Sequence, residues 1–184
     1  MAKTLRDYSG EFAPDLKLEC FSRTTLIDLL KLYSRFYLAM DGFWYLSIKE
    51  KFGNAEALDR DLWVWKRGSK YEIQRIVKLL KISGTDVLTF MKALQFLPWI
   101  LQMAKEVEVK NKNHAILTIT YCPILLALER EGEGREEDIC KIADRACFEQ
   151  YAHFFDPNIK VTPLKLPPRQ SKEEICCQWE FKLA

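Results

Sequence analysis

From Arg23 onward, Leu26, Leu29, Leu30, Tyr33, Phe36, Tyr37, Met40, Phe43, Trp44 and Ile48 recur at intervals of three and four. That spacing puts side chains on one face of an α-helix. Ser22 stands before the run as an N-cap and Gly53 follows it as a stop, so the pattern predicts one long amphipathic helix over Arg23–Phe52 with an unusually aromatic apolar face. Asp41-Gly42 falls in its middle, where a glycine costs about 1 kcal/mol relative to alanine and marks a kink or a close approach. Asn54 then caps a second helix over 54–66, with Leu58, Leu62, Val64 and Trp65 inward, and Gly68-Ser69 breaks it. A third helix follows over 70–82, stopped by Ser83-Gly84, and Thr85 caps a fourth, short one that ends before Pro98. Residues 1–20 are mixed and loosely patterned, with a short extended piece at 16–18.

After Pro98 the period changes. Lys105-Glu106-Val107-Glu108-Val109 alternates, Lys110-Asn111-Lys112-Asn113 is a polar turn, and His114–Tyr121 is rich in β-branched residues. The two segments read as an antiparallel hairpin. Residues 124–128 are an apolar run of either type, and the charged stretch 129–136 with its two glycines reads as an exposed loop. A helix over 137–154 follows, then a turn at Asp156-Pro157-Asn158, a strand over 159–164, a loop at Pro167-Pro168 and a closing strand over 175–183. In that last strand Ile175, Cys177, Trp179, Phe181 and Leu183 share one face, and Cys176, Gln178, Glu180 and Lys182 the other. The expected fold is α+β: an N-terminal helical, bundle-like region (residues 1–98) packed with a C-terminal antiparallel β-β-α-β-β unit (residues 99–184), the two forming one compact unit.

The net charge of +2, from 28 basic and 26 acidic side chains, gives no electrostatic reason to expect a nucleic acid as partner. No apolar run approaches the length needed to cross a bilayer, and residues 1–14 lack the apolar core of a signal peptide. The expected setting is the cytoplasm, without membrane contact, where thiols stay reduced. That bears on the six cysteines, five of which lie after residue 120. They read as buried small hydrophobes, as a metal site assembled from distant segments, or as a reactive thiol.

Cys140, Asp144 and Cys147 stand at i, i+4 and i+7 on the helix, on one stripe. Cys177 lies on the strand face that this helix would cover, and Cys122 ends the hairpin strand. If the helix packs on the sheet, Cys122, Cys140 and Cys177 converge. Three thiolates with Asp144 or His153 would suit zinc, although no Cys-x-x-Cys pair is present. A thiol nucleophile would instead need a base, for which His153 is the nearest histidine in sequence; its alternative role is as a residue at a helix C-terminus. The aromatic set of Phe36, Tyr37, Phe43, Trp44, Tyr45, Trp63, Trp65 and Trp99 is either core or the lining of an apolar ligand pocket. Gly132-Glu133-Gly134 lacks the context of a phosphate loop.

Two resemblances rest on these residues. The stretch from Phe21-Ser22-Arg23 through Tyr37-Leu38-Ala39-Met40-Asp41-Gly42-Phe43-Trp44 to Trp65 resembles an uncharacterised family of archaeal and anaerobic-bacterial cytosolic proteins. Cys122-Pro123, Cys140, Asp156-Pro157 and the closing Cys177-Gln178-Trp179-Glu180-Phe181 resemble the L-2-amino-thiazoline-4-carboxylic acid hydrolase-like family, and more distantly the bacteriochlorophyll 4-vinyl-reductase-like ligand-binding domains. The resemblance implies an antiparallel α/β unit with a small-molecule site near Cys122, Cys140 and Cys177, and a reaction that opens a thiazoline ring by adding water to a C=N bond. Where the hydrolase-like pattern has an acid directly after the helix cysteine, this chain has Lys141, and Asp144 is its nearest acid on that face.

The expectation is therefore a hydrolase-like protein with a cysteine-centred small-molecule site. Cys122, Cys140, Asp144 and His153 are its candidate catalytic residues, and Cys122, Cys140 and Cys177 are candidate ligands for zinc or iron. The alternatives are a non-catalytic binder of an apolar ligand and a structural interaction subunit. A homo-oligomer is left open.

Overall fold

A computed structural model describes residues 4–183. Leu5 bridges to Phe21, and of the extended piece expected at 16–18 Lys17 is extended while Leu18 opens a 3-10 turn, Leu18–Cys20. Helix α1 (Arg23–Phe52) opens as expected, with Ser22 Oγ accepting from the Thr25 amide at 3.1 Å. It runs through Gly42 without interruption, and a Cβ there would meet nothing within 4 Å, so Gly42 marks no close approach. Gly53, at φ 90°, ends α1 and takes the cap position of α2 (Asn54–Leu80). Asn54 is thus the first helical residue, and its Oδ1 accepts from the Tyr45 hydroxyl at 2.8 Å.

The expected break at Gly68-Ser69 is absent, and α2 is one helix. Ser69 is fully buried and its hydroxyl donates to the Trp65 carbonyl at 2.6 Å, which satisfies it within the helix. Lys81 in the left-handed region ends α2. Asp86, not Thr85, caps α3 (Val87–Leu94): its Oδ1 accepts from both the amide and the hydroxyl of Thr89 at 2.8 Å. A 3-10 turn at Trp99–Gln102 leads into the sheet.

The sheet holds β1 (Ala104–Asn111), β2 (His114–Tyr121), β3 (Lys160–Lys165) and β4 (Cys177–Lys182) in the order β1-β2-β4-β3, all antiparallel. Fold class and sequence alternation agree: Ala115, Leu117 and Ile119 of β2 and Cys177, Trp179 and Phe181 of β4 are buried on one face. β1 is an exposed edge whose lysines and glutamates keep other strands from pairing with it. Helices α3 and α6 (Arg145–His153) cover the buried face, with Phe148 5.0 Å from Trp179 and 5.5 Å from Phe181, ring centre to ring centre.

The segment expected as a loop over 129–136 is mostly helical. α4 (Pro123–Glu131) continues the strand end directly, and only 132–134 turn before α5 (Arg135–Asp138). Pro123 at the first helical position needs no amide partner, and Cys122 supplies the cap, so the apolar run at 124–128 resolves as helix. α5 passes into α6 through a π-helical turn, Ile139–Asp144.

The core joins Ile73 of α2 to α3, the sheet and α6. A chain of hydrogen bonds runs beside it: Trp99 Nε1 donates to the Tyr151 hydroxyl at 3.2 Å, and the Tyr151 and Tyr37 hydroxyls both donate to Glu72. The aromatic face of α1 is mostly outside this core. Only Ser34 and Tyr45 of α1 are buried, while Phe36, Met40, Phe43 and Trp44 are exposed, so the core reading of that stripe is corrected.

Candidate functional site

A narrow cavity opens where the end of β2, the start of β4 and the π-helical turn meet. Ile119, Cys122, Leu125, Cys140, Asp144, Phe148, Cys176 and Cys177 line it, with Trp99 and Met103 closing one side. The sequence places each side chain. Cys122 stands at the strand-to-helix corner, its Sγ accepting the Leu125 amide at 3.4 Å as the α4 cap. Cys140, Asp144 and Phe148 come from one helical stripe. Cys177 faces inward by strand alternation, and the Cys176 amide donates to the Ile119 carbonyl at 2.8 Å, extending the β2–β4 ladder by one residue. The three cysteines expected to converge do line one cavity, and Asp144 is the only carboxyl among its lining residues.

Two expected members are elsewhere. His153 is exposed at the far end of α6, where its Nε2 donates to the Ile159 carbonyl at 3.1 Å; it is a helix-terminal residue and no base for these thiols. Cys147, although at i+7 from Cys140, turns to α2 and packs beside Ser69. One member was missed: Cys176, assigned to the outer face of the last strand, is 2% exposed and lines the cavity because it precedes β4, where the alternation of the strand does not yet hold.

Burial dominates the electrostatics. It pushes the Cys122 thiol up to about 12, and burial with the neighbouring Asp144 raises Cys140 and Cys177 further, so these groups are thiols and not thiolates near neutrality. Burial lifts Asp144 to about 7, opposed by the Cys140 thiol against it. The nearest cation is Arg169, close to Cys176 and Cys122, and it opposes the burial that raises Cys176. Its guanidinium is already engaged by Glu129, at 2.8 and 2.6 Å. The Trp179 indole N–H is buried without a hydrogen-bond partner, and the Cys177 sulfur beside it is the weak acceptor at hand.

The donor set does not fit the expected metal. Among the described residues no three His, Cys, Asp or Glu side chains are placed to hold an ion together. The cavity is also small, about 20 Å³, room for about one water molecule.

A second cavity, of about 480 Å³, lies between α1 and α2. Asp41, Trp44, Tyr45, Ile48, Ala57, Arg60, Asp61, Trp63 and Val64 line it. Sequence reasoning named its aromatics but missed its carboxyls. Burial raises Asp41 to about 6, and burial with the nearby Asp41 and Asp144 raises Asp61 to about 7. The signal was present only as apolar spacing interrupted by an acid in each helix.

These features define an α+β protein with a thiol-and-carboxyl cavity at a sheet end and an aromatic cavity in its helical hairpin. The chain belongs to a family of unknown function, DUF6125, whose family model matches residues 19–183. No curated protein and no solved structure shows detectable similarity to it.

Proposed function

We propose that the protein is a small-molecule hydrolase that adds water to a C=N bond, with its site at the cysteine cavity and Asp144 as its general base. The observation that supports this is the convergence of Cys122, Cys140 and Cys177 on the one wall carboxyl, Asp144, which titrates at about 7. A base poised there is half-deprotonated at working pH and can both take and return a proton. Asp144 takes a proton from water as the water oxygen bonds to the C=N carbon. It gives that proton to the ring nitrogen, whose double bond to the carbon becomes single. The carbon–sulfur bond then breaks as the added hydroxyl becomes a carbonyl. Asp144 carries the hydroxyl proton to the leaving sulfur, so the substrate has gained one water and the site is unchanged. The protonated thiols act as weak donors around the developing charge. Cys122 and Cys140 are walls and donors in this scheme, not nucleophiles.

The cavity must widen to admit a ring, and the segment that carries Cys176 is the wall held by side chains: Arg169 donates to the Lys172 and Glu174 carbonyls, both at 3.2 Å, and ties the segment to Glu129 of α4. The test is incubation with 2-amino-thiazoline-4-carboxylate, following the gain of one water by mass spectrometry. Turnover is expected to rise through pH 7 and to fall by about a hundredfold in Asp144→Asn. No turnover at any pH, together with no protection of the cysteines from thiol labelling, would sink the proposal.

A second reading, a non-catalytic small-molecule binder, is supported by the location of the ligand-sized cavity in the helical hairpin, away from the thiols.

A further inference from the structure

We infer that the cavity between α1 and α2 is a binding site for an organic cation: a primary ammonium carried on an apolar or aromatic body. The inference is independent of the cysteine cavity and of any reaction there.

Charge bookkeeping around the cavity carries it. Three of the bordering cations are already paired with acids, and Arg67 is spent on the Trp63 ring, 3.7 Å from its centre. Arg60 pairs with Glu56 at 2.7 Å and with Asp59 at 2.8 Å. Lys49 pairs with Glu131 at 2.7 Å and with Glu133. Arg135 binds Glu131 at 2.7 Å and lies over the Tyr45 ring, 4.7 Å from its centre. The two carboxyls of the wall, Asp41 and Asp61, have no such partner among the described residues. Between them they have the Trp65 indole N–H, and Asp144 and Glu72 stand near as further acids. Two acids held together and half-buried without a cation favour a ligand that brings one.

The rest of the wall selects the kind of cation. Trp44 offers its ring, Tyr45 and Trp63 the faces that Arg135 and Arg67 leave uncovered, and Ile48 and Val64 aliphatic surface. Ring faces attract an ammonium and also cover an apolar body. Trp44 is 65% and Trp63 53% exposed, apolar area that such a ligand would take out of water. A volume of about 480 Å³ suits a metabolite-sized molecule. Other classes fit less well. A neutral apolar ligand would bury the carboxyls further with nothing to pair them. An anion would meet two acids. A bare metal ion lacks a third ligand, since no such group of three exists among the described residues.

The test uses the full chain and two probes of one shape, 2-phenylethylamine and its neutral twin 2-phenylethanol, followed by tryptophan fluorescence and calorimetry. The amine is expected to bind about tenfold more tightly than the alcohol at pH 8. Binding should weaken at pH 5, below the values to which burial raises Asp41 and Asp61. Asp61→Asn should remove the preference for the amine. Asp41→Asn is the second variant should the first fail to fold, as judged by circular dichroism. Equal affinity for the two probes, binding of neither at millimolar concentration, or an unchanged preference in a folded variant would each overturn the inference. Failure here leaves the hydrolysis assay untouched, so the two readings fail separately.

Discussion

Arg169 shows how much one side chain can organise. Its side chain is 5% exposed, it grips both oxygens of Glu129, and its remaining N–H groups hold two carbonyls of its own segment. That arrangement fixes the wall that brings Cys176 to the cavity. Removing the acid leaves an enclosed guanidinium unpaired, so Glu129→Ala should destabilise the protein by about 1–2 kcal/mol. It should also speed maleimide labelling of Cys176 and Cys122 several-fold while leaving the exposed Cys20 unchanged, which peptide mass mapping can read. Unchanged labelling would mean that the wall does not depend on the tether. At this scale the sequence was informative where residues follow a fixed period. Cys140, Asp144 and Cys177 were placed by helix and strand spacing, whereas Arg169 and Cys176 sit in a segment without a period.

Glycines separate two kinds of position in the elements. Gly68 lies inside α2, and a Cβ there meets nothing within 4 Å. Gly68→Ala should therefore stabilise by about 0.5–1 kcal/mol by removing backbone freedom from the unfolded chain. Gly84 has φ +127°, and a Cβ would come within 2.5 Å of Thr89 Oγ1, which is held by Asp86. Gly84→Ala should cost about 2 kcal/mol or more by straining the start of α3. Thermal denaturation of the pair checks both signs. The same contrast explains the misread break in α2. A Gly-Ser pair looks like a terminus when only propensity is read. Here Gly68 faces open space inside a continuous helix, and only Ser69 is packed, beside Cys147 and Tyr151. The loop expected at 129–136 failed for a related reason: Cys122 and Pro123 start a helix that the charged run then continues on its exposed side.

Across the whole molecule, acids run through the interface between the helices and the sheet half. Burial first of all raises Asp41 to about 6, Asp61 and Asp144 to about 7, and Glu72 above its usual range. A carboxyl whose folded value lies above its unfolded value, about 4, contributes stability that is full below pH 4 and lost as pH rises through 6 to 7. The melting temperature should accordingly fall by roughly 5 °C or more between pH 5 and pH 8. Asp61→Asn and Asp144→Asn should each raise it at pH 8 and flatten its pH dependence. A melting temperature constant over that range would show that these groups ionise freely. The α+β class and the four-strand order around the buried Trp179 follow from the alternation and spacing of the sequence. The row of acids does not, because they are spread over α1, α2 and the π-helical turn and only the docking of these three brings them together.

That π-helical turn has a consequence for the descent of the chain. It holds one residue more than a straight helix would need between α5 and α6. Deleting that residue would let the helix close up normally, and everything upstream would swing by about 100°. Cys140 and Asp144 would stay neighbours on one face, but α5 would turn away from its present contacts, in which Arg135 binds Glu131 and lies over the Tyr45 ring. Among kindred chains, a gap of one position at 139–144 would mark a different docking of α5 even where the cysteines and the acid survive.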